Sequence, residues 1–216
     1  MAITYPIDLP DSPGFSSVSL SSVNVIAKSE SIYSFKQQVV AHPGERWQLD
    51  CVLPPMGRSQ AEAWLAALTS LRGPFGTFIL GLPDTARAAG RIAGLGAQTV
   101  TVDGADQTGR TLDVNVVDAG NNAAQADVTE LWAAGDYIQL GAGANARLYK
   151  ILSRADTDSS GDVSLDIWPA LRSSPADGAA VVYSNCQALW RLSTPINWTV
   201  DYLSHYSVSF GAVEAL

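Results

Sequence analysis

One stretch of this chain, SQAEAWLAALTSLRG, repeats its apolar residues at helical spacing, with Ala61, Trp64, Leu65, Leu68 and Leu71 on a single stripe. The rest alternates apolar and small polar residues between turn formers. A chain patterned this way has to be mainly β, with one helix buried against a sheet. Ser59 is placed to cap that helix, and Glu62, three residues on, to complete a capping box. Gly73 and Pro74 end it, Gly as a left-handed residue and Pro because it cannot continue the ladder.

Upstream, SVSLSSVNVIA, IYSFKQQVV and ERWQLDCVL read as three strands. His42-Pro43-Gly44 lies between the second and third and predicts a hairpin turn. Downstream, FGTFILGLP is a short strand ending at Pro83, after which DTARAAGRIAGLGA changes the composition and marks a boundary. QTVTVDGA, TLDVNVV, DYIQLG, ARLYKIL, VSLDIWP, AAVVYSN and QALWRL follow as further strands, spaced as in a small barrel or sandwich. Between the second and third of these, NNAAQADVTELWAAGD is rich enough in Ala to supply a turn of helix. After Pro195 the first pattern returns in NWTVDYLSHYSVSFGAVEAL. The expected division is therefore an outer domain of residues 1–83 and 193–216, with residues 84–192 inserted into one of its loops.

The balance of 13 Lys and Arg against 21 Asp and Glu gives a net charge of −8, which disfavours sequence-independent attraction to DNA or anionic lipid. No apolar run approaches the roughly 20 residues that span a bilayer, so no direct membrane insertion is expected. MAITYPIDLPDSPGF has neither a basic nor an apolar leader region, so no cleaved secretion signal is expected. Cys51 and Cys186 stand in apolar surroundings without a neighbouring His or second Cys, and read as buried thiols rather than metal ligands, their spacing leaving a disulfide as the alternative.

Chemical motifs are scarce. His42 and His205 are the two histidines, and neither lies beside a nucleophile pattern; nucleophile-elbow, zinc-protease, phosphate-loop and paired-cysteine signatures are absent from the sequence. The glycine clusters at 94–97 and 141–146 lack the spacing of a dinucleotide loop. DTDSSGD sets Asp156, Asp158, Ser160 and Asp162 around Gly161 as a calcium loop does, but Ile167 stands where the closing Glu belongs, so a solvated hairpin turn is the better reading. Asp50, Asp166 and Asp201 lie in apolar strands, and nothing in their spacing pairs them as glycosidase carboxylates. No catalytic residue, cofactor site or metal site is expected, and the chain reads as a non-enzyme.

AWLAALTSLRGPFGTFILGLP, followed by an insertion containing GDYIQLG, LYKIL and VSLDIWPALRSSPADGAAV, resembles the minor tail proteins of long-tailed bacteriophages, in particular the distal tail proteins. The resemblance spans nearly the whole chain. It implies a β-sandwich with one packed α-helix that closes into a ring, and an inserted OB-like β-barrel projecting from it. It also implies self-association, a hexamer being favoured over a trimer, with a tail tube protein above and tail hub proteins below. The location implied is the virion tail tip, assembled in the host cytoplasm. A trimeric hub protein is the neighbouring alternative, but two cysteines cannot supply a four-thiolate iron–sulfur cluster within one chain. A further alternative is a carbohydrate- or host-surface-binding module, which predicts exposed aromatic rings in residues 91–192. For a ring, the expected contacts are the loop after the helix, with Pro74, Phe75 and Phe78, and the N-terminal arm, with Tyr5 and Phe15. Acidic residues lining the lumen would keep DNA phosphates from sticking.

Overall fold

A computed structural model describes residues 3–216. In chain order the strands are β1 (Ile7–Asp8), β2 (Ser17–Glu30), β3 (Gln37–Val52), β4 (Phe78–Gly81), β5 (Gln98–Val102), β6 (Thr111–Asp118), β7 (Tyr137–Leu140), β8 (Arg147–Ile151), β9 (Asp162–Trp168), β10 (Val181–Val182), β11 (Gln187–Leu192), β12 (Asn197–Val200) and β13 (Tyr206–Glu214), with helix α1 at Arg58–Ser70. Strand accounts for 43% of the chain and helix for 12%, so the chain is mainly β, a sheet with one packed helix plus a nearly closed six-stranded barrel. It divides into two compact units, Pro10–Gly76 with Arg191–Ala215, and Thr77–Trp190 with the residues up to Leu9.

In the first unit the strand order is β12-β13-β3-β2, antiparallel throughout. Period-2 alternation decides its two faces. Trp47, Leu49 and Cys51 of β3 and Val208, Phe210 and Ala212 of β13 are buried on one side, where α1 presents Ala61, Trp64, Leu65 and Leu68. Leu71, at the helix end, is fully buried, as the stripe predicts. The expected capping box is not formed: the helix begins two residues earlier, at an extended Gly57 with no side-chain cap, and Glu62 instead lies 3.8 Å from Arg58 one turn back. The first turn is exposed, so its free N–H groups are open to solvent.

The three predicted upstream strands are two long ones. β2 and β3 pair from Ser17↔Val52 out to Glu30↔Gln37, and the reversal is made by residues 31–36, closed by the Ser31 N–H to Lys36 O bond of 3.0 Å, with Phe35 at φ 53°. Ile32 to Phe35 are thus turn residues rather than strand. His42-Pro43-Gly44 makes no hairpin. It lies inside β3, where the register jumps from Asn24↔Glu45 to Ile26↔Ala41 and the three residues stand against Val25 alone. Pro43 has no N–H to give the ladder, so the chain places it in a bulge. A Cβ at Gly44 would sit 2.7 Å from Val25 Cγ2, so a larger residue there has to push that exposed side chain aside.

In the second unit the order β10-β7-β8-β9-β6-β5 is antiparallel, and a Thr101↔Ala180 bridge with Val102 N–H to Ala179 O at 2.9 Å draws the ends together. Val100 and Val102, Leu112, Val114 and Val116, and Leu165 and Ile167 point inward at alternate positions and fill the interior. β4 lies between β1 and the first four residues of β11. The Ala-rich segment before β7 forms no helix; it crosses the barrel in turns and bridges, inserting Leu131 and Trp132 into the core.

Candidate functional site

The residues with chemical potential do not converge. Asp158 accepts the backbone N–H groups of Ser160 (2.7 Å) and Asp162 (2.9 Å), an Asx turn that shapes the β8–β9 connection. These N–H groups hold its carboxyl below the ordinary 3.8, the Asp162 bond contributing most. Asp156 is lowered first by its Arg154 partner, 2.9 Å away, and then by the Glu130 N–H. Among the described residues no group of three or more His, Cys, Asp or Glu is placed to hold a metal ion. Asp50 lies exposed on the sheet face away from α1, Asp166 accepts from Ser153 Oγ at 3.2 Å, and Asp201 accepts the His205 N–H at 2.7 Å in the β12–β13 turn. No two of them share a cleft. Cys51 and Cys186 are free and buried, and burial pushes both thiols up to about 12, so neither is a nucleophile at neutral pH.

The depressed carboxylates of Asp156 and Asp158 imply a pH dependence. A carboxyl lowered in the folded state stabilises it in full above the ordinary 3.8, and loses that contribution as pH falls through the folded value. Asp158→Ala is therefore expected to lower the unfolding temperature at pH 7 and to flatten its decline below pH 4. Thermal unfolding from pH 2 to 7 checks this; an unchanged acid limb means that the turn is held by other contacts.

Exposed surface is concentrated instead. The aromatic side chains between residues 91 and 192, namely Trp132, Tyr137, Tyr149, Trp168, Tyr183 and Trp190, are buried or half-buried. The large exposed rings all belong to the sheet unit: Tyr33 (92% exposed), Phe35, Phe75, Trp198 and Tyr202 (98%). Val52, Trp198 and Val208 line a shallow groove of about 140 Å³.

Of the expected contact residues, Pro74 and Phe75 are exposed in a short 3-10 turn, their carbonyls held by the Arg191 guanidinium at 2.5 and 2.9 Å. Phe78 has no exposed surface, because it is the buried first residue of β4. Phe15 is turned inward, edge-on to Trp64 at 5.5 Å and Phe210 at 6.3 Å. Tyr5 is half-buried and belongs with Phe78 to the barrel unit. The five are thus not one surface.

Two features stand out that the residue patterns did not announce. Among the described residues, no strand pairs with the outer edge of β2, 14 residues long, or with that of β12. Every residue from 24 to 44 is exposed. The one trace of the second is that β2 and β3, 14 and 16 residues long, carry apolar residues on both faces, which one core cannot bury. Charge is also unevenly placed. The sheet unit has 6 Lys and Arg against 7 Asp and Glu, and the barrel unit 7 against 14, so the −8 belongs almost wholly to the barrel. No family model matches the chain, and no curated protein matches it.

Proposed function

We propose that the chain is a structural, non-catalytic ring subunit of the tail tip of a long-tailed bacteriophage, joining a tail tube above to hub proteins below. The observation that carries this reading is the sheet with two unlike free edges. A long exposed edge is an aggregation hazard that folded proteins cover, bend away or pair. Here β2 and β12 flank the β13-β3 pair from opposite sides, and among the described residues each is paired along one side only, so the edge of one copy can meet the other edge of the next. Such a contact is heterologous, and repeated with a closing rotation it makes a ring. In this proposal the subunits assemble in the host cytoplasm and end in the virion.

The sheet face away from α1 suits a lumen wall for a reason other than the acidity expected from the sequence. It carries Ser19, Ser21, Gln48, Thr199 and Ser209, with Arg46 and Asp50 as its charges. That face is neutral and small, and the acids lie on the barrel. A wall without a basic cluster still gives phosphates nothing to bind. The buried rings of residues 91–192 leave stacking on sugars without a platform in the barrel, which sets the carbohydrate-binding alternative second.

Electron microscopy of the purified protein tests the reading. Rings with a central opening and sixfold symmetry are expected; threefold particles would favour the hub role, and single particles of one chain would contradict a ring.

A further inference from the structure

The distal half of the β2–β3 hairpin, residues 25–44, is a two-stranded ribbon with no core of its own. Ile26, Val39 and Val40 are exposed along it, and Ile32, Tyr33 and Phe35 at its tip. A lone hairpin is marginal in water, and this one exposes apolar side chains on both faces, so it is shaped for a partner. Its charges are Lys28, Glu30 and Lys36, net positive in an acidic chain. Lys28 is 2.9 Å from Glu30, which also accepts from Gln37 at 2.8 Å, and among the described residues Lys36, beside Phe35, has no ion pair.

The same unit carries a complementary surface at the β12–β13 corner. Trp198, Val200, Tyr202 and Leu203 are exposed there beside Asp201, whose carboxylate also lies 3.4 Å from His205 Nδ1. The two surfaces cannot meet within one copy. The arm tip adjoins the start of β3, while the corner adjoins its end, since Ser209 pairs with Val52 and Tyr206 with Met56. The 16 residues of β3 separate them, ~50 Å at about 3.3 Å per residue.

We infer that the arm of one copy docks on the β12–β13 corner of the next, the tip aromatics covering Trp198 and Tyr202 and Lys36 facing Asp201. This rests on the ring proposal and names the contact that would hold it. A head-to-tail clasp of this kind also fixes the order of subunits, because the arm and its seat are different surfaces.

A cross-linking experiment tests it. Phe35→Cys and Tyr202→Cys are introduced together and singly, and the folded protein is treated with a short bismaleimide. The native thiols are buried and resist reaction at neutral pH. The double variant is expected to give a ladder of multimers on a denaturing gel, and each single variant none. A second variant, Tyr33→Ser with Phe35→Ser, is expected to weaken self-association at least tenfold with an unchanged circular dichroism spectrum, because these side chains are exposed in the single chain. Oligomers that form without a ladder, or that survive the serine variant unweakened, overturn the clasp and leave the ring standing. A wild-type chain that stays monomeric by light scattering overturns both.

Discussion

Asp136→Ala is expected to destabilise the barrel unit by about 2–3 kcal/mol, because one buried backbone donor, Gly90, and two part-buried ones lose their acceptor, and the full penalty of about 1–3 kcal/mol falls on the buried one alone. The Asp136 carboxylate is buried and takes the N–H groups of Ala89 (2.6 Å), Gly90 (3.1 Å) and Ala133 (2.9 Å). It thereby pins the 3-10 segment that begins at Arg91 to the turn leading into β7. Gly90 sits so close that an added Cβ would overlap the Leu131 carbonyl oxygen and stand 2.8 Å from the Ala133 nitrogen. Gly90→Ala should therefore reproduce most of the loss by moving the same loop. Asp136→Asn keeps one acceptor oxygen and turns an amide donor toward the remaining N–H, so it should fall between wild type and alanine. Urea unfolding followed by fluorescence of the buried Trp132 region checks the series. A loss under about 1 kcal/mol for Asp136→Ala would mean that water reaches those donors.

Trp64→Ala should cost the sheet unit about 3–5 kcal/mol, as large-to-small changes at fully packed aromatic sites do. Trp64 is buried under Phe15, edge-on at 5.5 Å, and its Nε1–H donates to Ser12 O at 3.3 Å. One side chain thus holds α1 to the sheet and ties down residues 12–15. Trp64→Phe keeps most of the ring and loses the hydrogen bond, so about 1 kcal/mol is expected. Thermal unfolding of the two variants separates packing from tethering; equal losses would show that the Ser12 bond, and not the ring, carries the effect.

How far the sequence announced this structure depends on whether the deciding forces were local. The helical stripe from Ala61 to Leu71 and the alternation of Val100, Val102, Leu112 and Val114 were legible, because burial on one side of a regular element leaves a fixed period. The His42-Pro43-Gly44 turn was misread because Pro and Gly serve a bulge as well as a hairpin, and only the pairing of Asn24 with Glu45 and Ile26 with Ala41 distinguishes them. Ser59 lost the cap to Gly57 because an exposed first turn gains little from a side-chain acceptor when water competes. No local pattern singled out Asp136, since its three donors come from two segments far apart in the chain. Phe78 and Phe15 are expected contacts from their place in the hydrophobic loop after the helix and in the N-terminal arm, and neither place nor hydrophobicity distinguishes a core from an interface. The same ambiguity hid the arm: Ile32, Tyr33, Val39 and Val40 have the composition of a core strand, and the surface they answer to lies outside the single chain in this account.

The mass of the purified protein in solution bears most directly on the central claim. Light scattering after size exclusion, over a range of concentrations, is expected to give a particle near six times the 22.8 kDa chain, and a mass of 22.8 kDa at every concentration would contradict a self-assembling ring.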